Sequence, residues 1–440
     1  MGEYHPDLLP RLLPTYYKEL FPFKPYTRWL SYGTRPTEKL GMREFAFIFE
    51  GDAHLRYRSF ACAADFERDL CKLNPHKLDL GAMYNFPPRD HKMHAEFRPV
   101  EREFVLDIDL TDYERVRTCC TEATVCDKCW KFIALAVKIL DKLLADDFGF
   151  MARLWVFSGR RGVHCWVADP EARAMNNNQR QGVAEYLSMF EGTKMNVNFG
   201  SRKVVPSPLH PMVESAYRTA LDSGIFEQMV HEQGWLKDAR LNFIVHQFED
   251  EKMREQIKTS LLKANEKARW EYLLTKFDEE ARRKYNEANP ESTVEAPKAA
   301  KNFLRWFVLY HIYPRLDVNV STGMNHLLKS PFCIHPKTGN VAVPLNPDVI
   351  TEFDVGKAPR IDQICTQLRE AVKSNETPED RKVLGYKHTS LRPYVENFER
   401  FIERAMASEK RARQEQKLKE EELKAAATAT DVKAPLRTQN

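Results

Sequence analysis

Apolar and polar positions alternate in two short runs, residues 44–50 and 54–60, joined by Gly51-Asp52. Period-two alternation across a Gly-containing turn predicts a β-hairpin. Residues 104–110, Phe-Val-Leu-Asp-Ile-Asp-Leu, form an apolar run broken at alternate positions by Asp107 and Asp109. Leu154–Ser158 and Val163–Ala168 predict two more strands around Gly159-Arg160-Arg161-Gly162, and β-like sequence returns near Leu316–Val320 and Asn340–Pro344. Elsewhere the period is helical. Leu12, Tyr16 and Leu20 recur at helical steps within Leu8–Tyr32, and Lys131–Leu144 predicts a helix. Glu251–Tyr285 places Met253, Ile257, Leu261, Trp270, Leu274, Phe277, Ala281 and Tyr285 three or four residues apart.

Composition shifts after Ser201, where Pro206, Pro208 and Pro211 precede a long helical pattern, while Asn289–Ala300 holds two prolines and reads as a loop. The layout predicts an α/β (α+β) domain in two parts, residues 1–205 and 303–405, with a helical insertion at 206–302. From Ser408 to Lys424 nearly every residue is charged or Gln. Residues 406–440 are therefore expected to be a disordered tail or a solvated helix.

The 440 residues are 43 % apolar and 11 % aromatic, which fits a folded chain with a substantial core. A net charge of +4 excludes global basicity, so any nucleic-acid binding must come from a local patch. Met1–Glu3 leads into Pro-punctuated, Tyr-rich sequence rather than an apolar leader. No apolar run approaches the ~18 residues of a membrane span, so a soluble intracellular protein is expected.

Positions two apart on a strand share a face, so Asp107 and Asp109 project together, roughly 6–7 Å apart at Cα. Buried carboxylates need a compensating cation. A hard divalent ion such as Mg²⁺ suits them, though a wet edge strand or pairing with Lys or Arg would serve too.

Nine cysteines, an odd number, include Cys119, Cys120, Cys126 and Cys129. Four thiolates so close suit a tetrahedral structural Zn²⁺ site in a reducing compartment. The adjacent pair departs from two Cys-x-x-Cys halves, and free core cysteines or a redox pair are the alternatives.

Ser158, Arg160, Arg161 and His164 surround a Gly-flanked turn that could bind phosphate oxygens through forked guanidinium donors. An exposed hairpin tip is the plainer reading. Neither a P-loop nor Gly-x-Gly-x-x-Gly occurs. Asp317 lies in a β-like run beyond the helical segment, and Lys329, His326 and His335 follow. Glu44 and Arg56 on the first hairpin could supplement them or form a salt bridge. Taken together, three carboxylates and a cationic turn suit two-metal phosphoryl or nucleotidyl transfer. A two-metal nuclease or a non-catalytic zinc-bearing adaptor would use the same residues differently.

The strings Arg43-Glu44-Phe45, FVLDIDLTDY (Phe104–Tyr113), the four-cysteine cluster, SGRRGVHCW (Ser158–Trp166) and Arg315–His335 occur together and in order. In these the chain resembles the small, catalytic subunit of eukaryotic and archaeal DNA primase, over roughly residues 5–400. The resemblance implies the primase-polymerase fold and RNA primer synthesis from NTPs on single-stranded DNA. It implies that Asp107, Asp109 and Asp317 hold two Mg²⁺ or Mn²⁺ ions. Ser158, Arg160, Arg161, His164, Lys329 and His335, with Glu44 and Arg56, would bind nucleotide. Cys119, Cys120, Cys126 and Cys129 would hold structural Zn²⁺. The implied partners are a large primase subunit carrying an iron–sulfur cluster and the DNA polymerase alpha complex, in the nucleus. A stand-alone repair primase-polymerase is the runner-up within the family.

Overall fold

The computed structural model describes residues 4–191, 194–195, 210–246, 251–275, 283, 286–287, 290, 299–374 and 385–431. Its framework is two antiparallel sheets. One contains β1 (Arg43–Ile48), β2 (His54–Arg58), β3 (Lys77–Tyr84), β4 (Pro99–Glu101) and β10 (Leu328–Lys329), ordered β10-β3-β1-β2 with β4 also on β3. The other is ordered β11-β6-β7-β5, from β5 (Phe104–Asp109), β6 (Arg153–Phe157), β7 (Gly162–Val167) and β11 (Pro344–Leu345). A short ribbon pairs β8 (Phe190–Glu191) with β9 (Lys194–Met195). The first hairpin and the strands around Asp107 and the Gly-Arg-Arg-Gly turn form where the alternation predicts them. The strand near Asn340–Pro344 is reduced to β11, preceded by the isolated bridges Ile334↔Val341 and Asn340↔Arg360.

The helix predicted at Lys131–Leu144 spans Asp127–Asp146 and buries Phe132, Leu135, Val137 and Leu140 completely. At about 25 cal/mol per Å² of apolar surface, each such side chain stabilises the fold by roughly 1.5–3 kcal/mol. Three sequence expectations change. Leu316–Val320 is not a strand, because the Asp317 carboxylate accepts the Asn319 N–H at 3.1 Å and caps a short helix, Val318–Thr322. An Asx cap offers the backbone a local partner that competes with a ladder. The long helix predicted over Glu251–Tyr285 is broken at Asn265, whose side chain accepts from Lys267 N–H and starts the 3₁₀ turn Glu266–Ala268. Helices Glu251–Lys263 and Arg269–Thr275 flank it; Phe277, Ala281 and Tyr285 lie outside the described residues. Most of the loop predicted at Asn289–Ala300 also lies outside them, and Ala299 already begins helix Ala299–Ile312.

At the C-terminus, helix Arg392–Asp431 runs through residue 406, so a helix rather than a disordered tail occupies 406–431. It docks through Ser408, which donates to Asp169 Oδ1 at 2.8 Å, and through Glu409, which pairs with the buried Arg173.

Candidate active site and metal centre

The β5–β7 register sets Asp107 opposite His164 and Asp109 opposite Gly162. Directly opposed residues share a face of the sheet, so both carboxylates and the imidazole emerge together. The other face carries Leu106 and Ile108 into the core. Asp317 arrives from the far end of the chain, its N–H donating to the Asp107 carbonyl at 3.2 Å. Arg315 secures that approach. Its guanidinium donates to the Asp112 carbonyl at 2.6 Å, and its N–H donates to the Tyr113 hydroxyl at 3.2 Å.

These carboxylates perturb one another. Burial, followed by the charges of Asp109 and Asp317, pushes the Asp107 carboxyl up to about 6. Burial and the same cluster push Asp112 up to about 6. A pocket whose acids resist ionisation has negative charge in excess, and a divalent cation would relieve it. Asp109 is braced differently. Both its oxygens accept from Arg161 Nε, at 2.7 and 2.9 Å, and Oδ1 also accepts from Thr111 N–H and hydroxyl.

Glycine shapes the turn between β6 and β7. Gly159 has φ +91°, and a Cβ there would lie 2.7 Å from the His335 Cβ. A Cβ on Gly162 would lie 2.3 Å from the Ile108 carbonyl oxygen, which no side chain tolerates. Ser158 Oγ accepts the Gly162 N–H at 3.1 Å. The 329–340 segment wraps this turn. Lys329 Nζ donates to the Ser158 carbonyl at 3.0 Å, and Thr338 Oγ1 and Asn340 Nδ2 donate to the Gly159 carbonyl at 2.7 and 3.2 Å. Burial and then the Lys329 charge drive His164 and His335 down to about 3, so both rings are neutral at pH 7. The Nδ1 atom of each is buried without a partner. Lys329 is itself lowered by burial. Arg160, Arg161 and Lys329 give this turn a cationic character that would suit an oxygen-rich anion.

Asp107, Asp109, Asp317, Ser158, Arg161, His164, Lys329 and His335 thus form one connected region, with Arg160 on its turn. Glu44 and Arg56 pair with each other on the neighbouring sheet. Glu44 is fully buried and accepts from Arg56 at 2.9 and 3.2 Å, from Tyr57 N–H at 3.3 Å and from the Tyr84 hydroxyl at 3.2 Å, none of them an aspartate neighbour. Sequence reasoning missed Asp112. The 3₁₀ turn Leu110–Tyr113 follows Asp109 directly and returns Asp112, three residues on, to the cluster. His326 was seen in sequence only as a basic neighbour; here the charges of Asp317 and Asp107 act on its ring.

The four cysteines make a second centre. Their Sγ atoms lie within 4.8 Å of one another, the only such gathering of three or more ligand atoms among the described residues. Cys126 and Cys129 are 3.8 Å apart at sulfur. That matches the ~3.8 Å edge of a tetrahedron with ~2.3 Å Zn–S bonds. Cys126 is the N-cap of helix Asp127–Asp146 and Cys129 lies in its first turn, where the helix dipole favours thiolate. Hydrogen bonding, chiefly from Cys129, lowers Cys119 to about 5, while burial raises Cys120 to about 11. Without a cation the cluster thus favours one thiolate, held by its neighbours' S–H donors, and opposes a second through burial and repulsion. Gln233, at the end of helix Ile225–Gln233, donates to Cys119 Sγ at 3.3 Å and accepts the Thr118 N–H at 2.8 Å.

Clustered carboxylates beside a cationic turn would suit an enzyme of phosphate-bearing substrates. Residues 106–347 match the family model for the DNA primase small subunit. The chain is 49 % identical over 407 residues to the DNA primase small subunit of Caenorhabditis elegans, covering 91 % of this chain and 98 % of that one. Identity to the Drosophila melanogaster small subunit is 36 % over 423 residues, covering 93 % and 94 %; to that of Saccharomyces cerevisiae it is 34 % over 400 residues, covering 90 % and 91 %. The chain belongs to the DNA primase small subunit family.

Proposed function

We propose that this chain is the catalytic subunit of a DNA primase, building short RNA primers from NTPs on a single-stranded DNA template to start replication. The backbone hydrogen bond from the Asp317 N–H to the Asp107 carbonyl supports the reading, because it brings the two residues side by side across some two hundred residues of sequence. Asp107, Asp109 and Asp317 are the residues suited to hold two Mg²⁺ or Mn²⁺ ions. When bound, these ions activate a 3′-hydroxyl and neutralise charge developing on a triphosphate.

The chain's own groups do the rest. Arg160, Lys329 and Ser158 bind phosphate oxygens beside the neutral His164 and His335 rings, fixing the triphosphate for in-line attack. Arg161 neutralises Asp109, and its guanidinium would lie beside a phosphate bound at this turn. Glu44 positions Arg56 at the edge of the nucleotide site. Cys119, Cys120, Cys126 and Cys129 hold a structural Zn²⁺ with no open position, which secures the helical insertion at 206–302 against the catalytic parts, 1–205 and 303–405.

The family name implies a large subunit as partner and DNA as template. The iron–sulfur cluster of that subunit, the DNA polymerase alpha complex and a nuclear location extend the same reading. Among the described residues no helix is long and apolar enough to cross a membrane. Incubation with template, labelled NTPs and Mn²⁺ tests the proposal. New labelled strands are expected from the wild type and none from an Asp107→Ala/Asp109→Ala variant. Shortened template without new strands would indicate a nuclease instead.

A further inference from the structure

The hairpin that carries Arg56 also carries an unusual residue. Tyr57 has φ +57°, a left-handed conformation that bulky side chains avoid and that concentrates at functional positions. Its N–H is held by the buried Glu44, which also fixes Arg56, and the Arg56 guanidinium lies 5.0 Å from the Tyr57 ring. The Tyr57 ring is stacked on His91, with centroids 4.1 Å apart and planes 19° from parallel.

Two more pairs repeat the motif nearby, Tyr84 on Phe97 at 4.2 Å and 4°, and Phe86 on His94 at 3.8 Å and 3°. Phe97 meets Tyr57 edge-on, which links two of the stacks. Tyr57, Phe86, His91, His94 and Phe97 are partly exposed, whereas Tyr84 is buried. The loop is rigid. Asn85 closes it by donating to the Glu96 carbonyl at 3.0 Å and accepting the Arg98 N–H at 2.9 Å, and His91 Nδ1 is 3.0 Å from the Pro88 carbonyl. Exposed Lys92 and Arg98 flank the rings with no ion-pair partner among the described residues.

Position gives this surface a role. It ends at Pro99 and Val100, which line an open cleft of about 840 Å³ together with His326 and Asn325. Gly323–His326 on its rim follow directly from the helix Val318–Thr322 that Asp317 caps, so one wall of the cleft continues from the segment that carries this carboxylate. Stacked, half-exposed rings flanked by cations form the surface that single-stranded nucleic acid uses, bases on π-faces and backbone on Lys or Arg.

We propose that Tyr57, His91 and Phe97, fixed by Glu44 and Asn85, form a stacking platform for unpaired bases of the single-stranded DNA template before they reach the catalytic cleft. This deepens the primase reading and rests on it for the identity of the strand.

The test is binding, not synthesis, so it can fail separately from the catalytic assignment. Fluorescence anisotropy with a labelled oligodeoxythymidylate would compare the full-length wild type with His91→Ala, Phe97→Ala and His91→Phe. The alanine variants are expected to weaken binding roughly tenfold, within the range a base–aromatic stack contributes, and His91→Phe to restore it. The slope of affinity against salt should not change, because no phosphate contact is removed. Wild-type affinity in folded alanine variants, or a loss that His91→Phe does not rescue, would overturn the platform. Ultraviolet crosslinking of a 5-iodouracil oligonucleotide to the wild type gives an answer even if a variant misfolds. Crosslinks at Tyr57, His91 or Phe97 are expected, and crosslinks confined to other segments would refute it.

Discussion

Crowding governs the chemistry of Asp107. Its carboxyl titrates near 6 rather than 3.8, so between those values the native protein holds a proton that the unfolded chain has released. Stability therefore falls as pH rises through this window, and above about 6 the cost is complete. Two pH units of raised pKa correspond to on the order of 2–3 kcal/mol. Asp107→Asn should accordingly stabilise metal-free protein in denaturant titrations at pH 7.5 by about 2 kcal/mol, with the gain vanishing near pH 4. The same variant should lose the stabilisation that Mn²⁺ confers on the wild type. A destabilised variant at pH 7.5 would mean that Asp107 already has a compensating partner. The pair Asp107 and Asp109 is legible in sequence because a period of two needs no knowledge of the fold. Asp112 is not, since its return to the cluster depends on a 3₁₀ turn that the apolar pattern does not announce.

Between elements, two close approaches set the site. The first is β5 against β7, where Gly162 lets the Ile108 carbonyl come near enough to place Asp109. Gly162→Ala should force the strands apart, costing several kcal/mol in thermal unfolding and abolishing synthesis; a variant as stable and active as wild type would show that β5 can shift freely. The second is the cysteine knot between the start of helix Asp127–Asp146 and Gln233. Freshly purified protein should contain about one zinc per chain. Cys126→Ser/Cys129→Ser should lose it and expose the segment after residue 210 to limited proteolysis; unchanged digestion would separate the knot from the insertion. The hairpins were readable from alternation and turn residues. The segment at Leu316–Val320 was not, because its composition suits a strand while Asp317 supplies a helix cap.

For the molecule as a whole, the long C-terminal helix is docked only in its first part. Ser408 bonds to Asp169, Glu409 pairs with Arg173, and Arg413 donates to the Tyr32 carbonyl at 3.0 Å, whereas Leu418 and Leu423 are 58 % and 70 % exposed. A chain ending at residue 416 should melt close to the full-length protein. One ending at 407 strips partners from buried Asp169 and Arg173 and should lose roughly 2–4 kcal/mol. Equal melting of the two would show that residues 408–416 add nothing to stability. Charge density alone could not reveal that division, because it is set by two buried partners far away in sequence. The same limit applies to Asp317, whose meeting with Asp107 is a property of the whole fold and not of any local pattern. The resemblance of its surrounding string to primases pointed to it; periodicity did not.

That meeting is also where the functional reading is most exposed to experiment. Primer synthesis by Asp317→Asn, measured on a single-stranded template with labelled NTPs and Mn²⁺, tests it most directly. If the three aspartates act as one cation-binding set, the variant should fold, bind NTP and yield no detectable primer. Primer yield within tenfold of wild type would contradict a shared catalytic site.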